Sequence, residues 1–178
     1  MSTDLLEQYG RASGWAGTKV AIAAQKLNAP TPCDDWDVKT LLSHMLETQR
    51  YFAGAARGEH VSPPSPTPSV VLDADPVAQF EQTRTDVLQT FGEPGVIDKT
   101  GPSLGVAMSD QLLHGWDLAK ATEQDATMPD GLAEATLAMI HGIFTAEERK
   151  GILKPEQHVA DDASWQDKLL AYSGRQPR

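Results

Sequence analysis

Helical periodicity constrains the fold of this 178-residue chain more than any other feature of its sequence. Apolar residues recur at helical spacing along four long segments, which we predict as helices at about 4–26, 38–57, 75–91 and 106–122. No segment shows the alternation of polar and apolar residues that is typical of a half-buried strand. The pattern therefore predicts an all-α chain.

A long connection separates the second and third predicted helices. It holds four prolines between Val61 and Ser69, which exclude a helix there. Such a loop either covers a site or serves as a plain surface connector, and the sequence leaves both interpretations open. Four long helices with one crossover loop favour an antiparallel four-helix bundle.

Two further helices are expected towards the C-terminus. Pro129 opens the first, which keeps helical spacing to about Glu147, and the second is short and runs from Ser164 to Tyr172. We expect residues 1–178 to form a single helical-bundle domain. Its bundle is expected at about residues 3–149 and its C-terminal extension at about 150–178.

Charge and cysteine content limit the classes of partner and compartment. The formal net charge of −10 argues against a nucleic-acid or anionic-membrane partner. No apolar run approaches the roughly 18 residues of a membrane span. The single cysteine, Cys33, and an N-terminus without a signal-like apolar segment favour a cytoplasmic location.

The second predicted helix carries a histidine at the edge of its apolar stripe. Asp37 is a good N-cap for this helix, and Trp36 and Leu41 have the spacing of a hydrophobic staple. His44 lies beside Leu41, where an ordinary core-edge histidine and a ligand are both compatible with the pattern. One turn further on, Glu47 either accepts a hydrogen bond from the His44 imidazole or is solvated. The expected core stripe comprises Val38, Leu41, Leu42, Met45 and Phe52.

The helix that ends near Thr122 carries the second candidate group. Asp110 and His114 are separated by four residues, so their side chains rise one turn apart and can converge on one point. An ordinary polar face is the alternative. Asp117 either orients an imidazole or forms a structural pair with Arg50 or Lys120, and we favour the structural pair.

Cys33 precedes the second helix and is open to two interpretations. A thiol near a helix N-terminus can be reactive, whereas a small buried apolar residue is the simpler role, which we favour. The remaining histidines, His60, His141 and His158, are assigned no function.

Two motifs resemble the signatures of the DinB-like superfamily. They are Thr31-Pro-Cys-x-x-Trp-Asp-Val-x-x-Leu-Leu-x-His44 and Asp110-x-x-x-His114-Gly-Trp-Asp-Leu-Ala119. More closely, they resemble the metal-binding domain of mycothiol-dependent maleylpyruvate isomerases and their relatives, through about residue 150. The resemblance implies a DinB-like bundle in which His44, Asp110 and His114 hold a divalent ion, usually zinc, with nickel as a second choice.

The chain departs from that family in two respects. The isomerase typically has Glu where this chain has Asp110, and the shorter side chain is expected to move the metal towards the helix or to weaken its binding. Only about 30 residues follow the fifth predicted helix. We therefore expect the complete thiol- and substrate-binding apparatus of the isomerase to be missing.

The resemblance implies metal-assisted chemistry on a small molecule. Its expected form is a transferase or isomerase that uses a low-molecular-weight thiol as co-substrate and acts on a small electrophile. Relatives with this fold are often dimers, so the resemblance also admits a homodimer. Two alternatives remain: a non-catalytic metal-dependent protein of ligand binding or stress response, and a structural bundle without metal.

Overall fold

The described part of the chain is entirely helical apart from its connections. A computed structural model describes residues 2–141, 143–144, 147, 149 and 152–177. Within these ranges there are seven α-helices and no strand, so the predicted all-α class is confirmed. The helices are α1 (Ser2–Ala23), α2 (Val38–Ala56), α3 (Pro76–Gly92), α4 (Val96–Thr100), α5 (Ser103–Ala121), α6 (Leu132–Ile140) and α7 (Trp165–Tyr172).

The chain divides into two compact units, Met1–Ala126 and Thr127–Arg178. In the first unit, α1, α2, α3 and α5 form a four-helix bundle in which each helix packs against two of the others. In the second unit, α6 packs against α7. The core of the first unit contains Ala16, Val20, Ala23, Val38, Leu41, Leu42, Met45, Leu46, Phe80 and Leu118.

The observed division differs from the expected boundary of the bundle near residue 149. The structure groups α6 with α7 in the second unit, whereas the sequence analysis placed α6 in the bundle. Helical periodicity shows that a helix buries one face, but it does not show which helix covers that face. That residues 1–178 form a single domain stays a prediction.

Two predicted segments differ in detail from the observed helices. The segment 96–105 was expected to be irregular, but it contains α4 and the first turn of α5. Five residues are too few to show a helical period, and Gly95 and Gly101 bound α4 with φ values of 80° and 60°. Further along, α6 begins at Leu132 rather than Pro129, and residues 142, 145 and 146 of the predicted helix lie outside the described residues.

The start of α2 agrees with its sequence signals. Asp37 is the N-cap, and its Oδ1 accepts a hydrogen bond of 2.8 Å from the Thr40 backbone amide. That hydrogen bond, with a second one from the Thr40 hydroxyl, holds the pKa of Asp37 below its ordinary value. A well-capped first turn fixes the residue at which α2 begins and therefore the position of His44 along the helix.

Among the described residues, no helix is both long and apolar enough to cross a membrane.

Candidate metal centre

The structure brings His44 of α2 together with Asp110 and His114 of α5. Asp110 Oδ1 lies 3.2 Å from His44 Nε2 and 3.6 Å from His114 Nε2. The two imidazole rings meet edge to face, with their centroids 4.9 Å apart. Each of the three side chains is 14% exposed, so the cluster is largely buried but remains within reach of solvent. The three residues predicted as ligands are therefore neighbours in the fold.

Their spacing fits a divalent cation. One ligand atom from each of His44, Asp110 and His114 lies within 4.8 Å of the others. Ligand atoms about 2.1 Å from a tetrahedral zinc ion are about 3.4 Å apart, and both nitrogen–oxygen distances to Asp110 lie close to that value. Two imidazoles and a carboxylate form a donor set that zinc accepts while a further position stays open. Although shorter than the expected Glu, Asp110 reaches both imidazoles.

Asp117 lies on the opposite side of the His114 ring. Its Oδ2 is 2.9 Å from His114 Nδ1, and its side chain is fully buried. Because a buried carboxylate accepts a hydrogen bond, this contact favours the tautomer of His114 that is protonated at Nδ1. The lone pair of Nε2 then faces Asp110. The structure thus shows Asp117 orienting an imidazole, the alternative that the sequence analysis did not favour.

Cys33 lies beside the same pair. Its Sγ donates to Asp117 Oδ2 at 3.3 Å and lies 3.9 Å from His114 Nδ1. Cys33 is partly buried and also packs against the core of the first unit. Cys33, His114 and Asp117 form a second group that could hold a metal ion. Within this group, however, the 2.9 Å contact has the length of a hydrogen bond and is short for two ligands of one zinc ion.

His44 has an aromatic neighbour and a polar one. The Trp36 ring lies 4.8 Å from the His44 ring, centroid to centroid, and the Thr48 hydroxyl lies 3.4 Å from His44 Nε2. Burial lowers the pKa of His44, but the charge and hydrogen bond of Asp110, with help from other carboxylates, outweigh it and raise that pKa overall. The Nδ1 atom of His44 is buried without a hydrogen-bond partner.

Glu47 holds the proline-rich loop instead of the His44 imidazole. Its carboxylate accepts hydrogen bonds from the backbone amides of Ser65 and Ser69, at 3.0 and 3.3 Å. Trp36 also holds the loop, by donating a hydrogen bond from Nε1 to the carbonyl of Pro66 at 3.1 Å. The loop is therefore tied to two residues next to His44, one of which contacts both histidine rings. Because its carboxylate is hydrogen-bonded to the loop, Glu47 is neither an acceptor for the His44 imidazole nor simply solvated.

Several buried polar residues near the site were not recognised from the sequence. Gln49 and Gln111 are buried and hydrogen-bonded to each other, and Gln111 also contacts Asp110. In the sequence, Gln49 stands four residues after Met45 on the apolar stripe of α2, and this position could have indicated that Gln49 is buried. The sequence analysis placed Phe52 on that stripe, but Phe52 is only half-buried.

Comparisons with known proteins agree with the resemblance stated above. Residues 12–93 match the family model described as the mycothiol maleylpyruvate isomerase N-terminal domain. This segment includes His44, whereas Asp110 and His114 follow it. Two uncharacterised proteins of Mycobacterium tuberculosis, from strains CDC 1551 / Oshkosh and ATCC 25618 / H37Rv, are each 26% identical over 189 residues. Those alignments cover 98% of this chain and 100% of each relative.

No solved structure matches the chain significantly. The family resemblance inferred from the two motifs is nevertheless confirmed: residues 12–93 of this chain are similar to the mycothiol maleylpyruvate isomerase N-terminal domain.

Proposed function

We propose that the protein binds one divalent metal ion, with zinc as the first choice, through His44, Asp110 and His114. The observation that carries the proposal is the convergence of three ligand atoms within 4.8 Å, with both imidazole nitrogens 3.2–3.6 Å from the Asp110 oxygen. The hydrogen bond from His114 Nδ1 to Asp117 adds support, because metal-binding histidines commonly donate their other ring N–H to a carboxylate.

The proposed activity is metal-assisted and thiol-dependent: the transfer of a small thiol to a small electrophile, or the isomerisation of such an electrophile. When bound, a divalent ion with an open position would supply Lewis acidity that favours the thiolate form of a thiol. In this arrangement His44, Asp110 and His114 hold the ion, and Asp117 keeps His114 in the required tautomer. The thiol is proposed from the family description, which names mycothiol.

The two candidate metal groups can be separated by a pair of single substitutions. His114 belongs to both groups, but His44 belongs only to the proposed one and Cys33 only to the other. The experiment is elemental analysis of protein purified without a polyhistidine tag, after addition of Zn²⁺ and removal of the excess. Wild type is compared with His44→Ala and Cys33→Ala.

We expect one zinc per chain in the wild type and in Cys33→Ala, and none in His44→Ala. Loss of zinc in Cys33→Ala with retention in His44→Ala would replace the proposed site by the second group. A wild-type protein without zinc would leave Asp110 as a hydrogen-bonded structural carboxylate and would end the proposal.

The catalytic part of the proposal needs its own assay. The zinc-loaded wild type is incubated with a low-molecular-weight thiol and small electrophiles of the activated-alkene class. The loss of free thiol reports addition, and conversion of the electrophile to an isomer without loss of thiol reports isomerisation. We expect turnover in the wild type and not in His44→Ala. Zinc binding without turnover for any thiol and electrophile would favour a non-catalytic, metal-dependent ligand-binding protein.

A further inference from the structure

A chain of buried polar side chains leads from α3 through α2 to Asp110 on α5. The Thr83 hydroxyl contacts Gln49 Oε1, and Gln49 Nε2 donates to Gln111 Oε1 at 2.9 Å. Gln111 Nε2 then donates to Asp110 Oδ2 at 3.1 Å. Thr83, Gln49 and Gln111 are all buried, at 8%, 1% and 0% exposure. The chain therefore connects three helices of the bundle to the carboxylate of the proposed site.

The orientations of the two glutamine amides in this chain follow from the charge at its end. A carboxylate oxygen only accepts, so Gln111 must turn its NH₂ group towards Asp110. The Gln111 carbonyl is then left to accept from the NH₂ group of Gln49, so the Gln49 carbonyl faces the Thr83 hydroxyl, whose proton it shares with the Phe80 carbonyl at 2.9 Å. Turning either amide around would place two donors or two acceptors against each other, which is costly in a buried position.

The chain ends on a different oxygen of Asp110 from the one that faces the histidines. Oδ2 accepts from Gln111, whereas Oδ1 lies 3.2 Å from His44 Nε2 and 3.6 Å from His114 Nε2. A carboxylate held at one oxygen has its plane restrained, so its other oxygen stays aimed at the two imidazoles.

We propose that Gln111, supported by Gln49 and Thr83, is a positioning residue that holds Asp110 in its metal-binding orientation. The inference rests on the proposed function, since it assigns to Asp110 the role of a ligand. Partners that orient a ligating carboxylate commonly contribute about 10- to 100-fold to metal affinity.

Gln79 provides a matched control for a purely structural role. It is a buried glutamine in the same bundle, and both ends of its amide are hydrogen-bonded. Its Nε2 donates to the Val71 carbonyl at 2.9 Å, and its Oε1 accepts from the Asp73 amide at 2.9 Å. Substitution of Gln79 by Leu removes two hydrogen bonds of a buried amide, as substitution of Gln111 does, but the partners are backbone groups of the exposed residues Val71 and Asp73 in the loop before α3.

The experiment measures zinc affinity by competition with a chromophoric chelator, using the full-length chain. Wild type is compared with Gln111→Leu, Thr83→Val and Gln79→Leu, and the stability of each zinc-free variant is recorded by denaturant unfolding. The visible absorption of Co²⁺ bound in place of zinc reports the geometry of the ligands in the same variants.

We expect Gln111→Leu to lose about 10- to 100-fold in zinc affinity and to change the Co²⁺ spectrum. Gln79→Leu should lose stability with no change in affinity or spectrum. Thr83→Val removes only a hydroxyl at the far end of the chain, so it should stay folded and show a smaller loss of affinity. If Gln111→Leu does not fold, Thr83→Val decides the question.

Unchanged zinc affinity in a folded Gln111→Leu, or in Thr83→Val if Gln111→Leu does not fold, would overturn the inference. An equal loss of affinity in Gln79→Leu would also overturn it, because the effect would then follow stability alone. In both cases the wild type would still bind zinc, so the proposed function would be retained. A wild type without affinity for zinc would contradict both the proposed function and the role of Gln111.

Discussion

His114 uses its two ring nitrogens for different contacts. Nδ1 lies 2.9 Å from the buried carboxylate of Asp117, and Nε2 faces Asp110 at 3.6 Å. A neutral imidazole has one donor and one acceptor nitrogen, so the contact with Asp117 decides which nitrogen is free to bind a cation. In this protein a single buried carboxylate therefore favours one tautomer of a neighbouring histidine.

The substitution Asp117→Asn tests that control. Asn keeps the size of the side chain but lacks the charge that favours the Nδ1–H tautomer, so we expect zinc affinity to fall by about 10- to 100-fold. Chelator competition measures the effect. Cys33→Ala is the control, because it removes the thiol that donates to the same Asp117 oxygen without changing the carboxylate. Equal affinities for Asp117→Asn and wild type would show that Asp117 has no part in orienting His114.

The raised pKa of His44 predicts how pH affects the zinc-free protein. An imidazole with a raised pKa in the folded state contributes stability that is fully present below its unfolded pKa of about 6.5. The contribution is lost as the pH rises through the folded pKa. The free energy of unfolding of the wild type minus that of His44→Gln should therefore decrease as the pH rises from the unfolded pKa of about 6.5 through the raised folded pKa. Urea titration at a series of pH values measures this difference. A difference that increases with pH would contradict the pairing of protonated His44 with Asp110.

At the scale of the helices, close contact between α1 and α5 limits where the candidate ligands Asp110 and His114 can lie. A Cβ atom built on Gly115 would lie 2.7 Å from Trp15 Cζ3 and 3.1 Å from Ala16 Cβ. Gly115 directly follows His114 in the sequence. The lack of a side chain at Gly115 therefore lets α5 approach α1 at the level of the site.

Gly115→Ala should destabilise the zinc-free protein. Forcing a methyl group into a packed contact costs about 1–3 kcal/mol, which exceeds the gain of up to about 1 kcal/mol from the higher helix propensity of Ala. Gly10→Ala is the matched control in α1, because its Cβ would meet Leu88 at an ordinary 3.7 Å. We expect Gly10→Ala to be as stable as the wild type or more stable in urea unfolding. A Gly115→Ala protein that gains stability would show that α1 and α5 separate easily.

At the scale of the whole molecule, the proposed site joins distant parts of the chain. His44 lies 66 residues before Asp110 in the sequence, and both belong to the unit Met1–Ala126. The unfolded chain does not hold these side chains together, so a cation that binds all three ligands stabilises the folded state selectively.

Zinc should therefore raise the thermal stability of the wild type. At a free zinc concentration about 100-fold above its Kd, the expected stabilisation is about 2.7 kcal/mol. For a chain of this length, that corresponds to an increase in Tm of about 5–10 °C. Differential scanning fluorimetry with and without a chelator measures the shift, and His44→Ala should show none. An equal shift in His44→Ala would place zinc at another site.

Local patterns in the sequence were sufficient to predict the four long helices and to indicate that Asp110 and His114 can converge on one point. The spacing of apolar residues follows the helical repeat, and Asp37 caps the backbone amide of Thr40, only three residues further on. Both features can therefore be recognised in short stretches of sequence. The separation of Asp110 and His114 by one helical turn is local in the same way, and the resemblance to a known family added His44.

Packing between distant residues determined the rest. Cys33 donates to Asp117 from outside α5, Glu47 holds a loop that begins more than ten residues away, and α6 packs with α7. Each of these contacts depends on which faces the helices present to one another, and a periodic pattern identifies a buried face without identifying its partner. The long helices and the spacing of Asp110, His114 and Asp117 along α5 are thus properties of the local sequence, whereas the approach of His44 to Asp110, the chain from Thr83 to Asp110 and the division into two units arise from the packing.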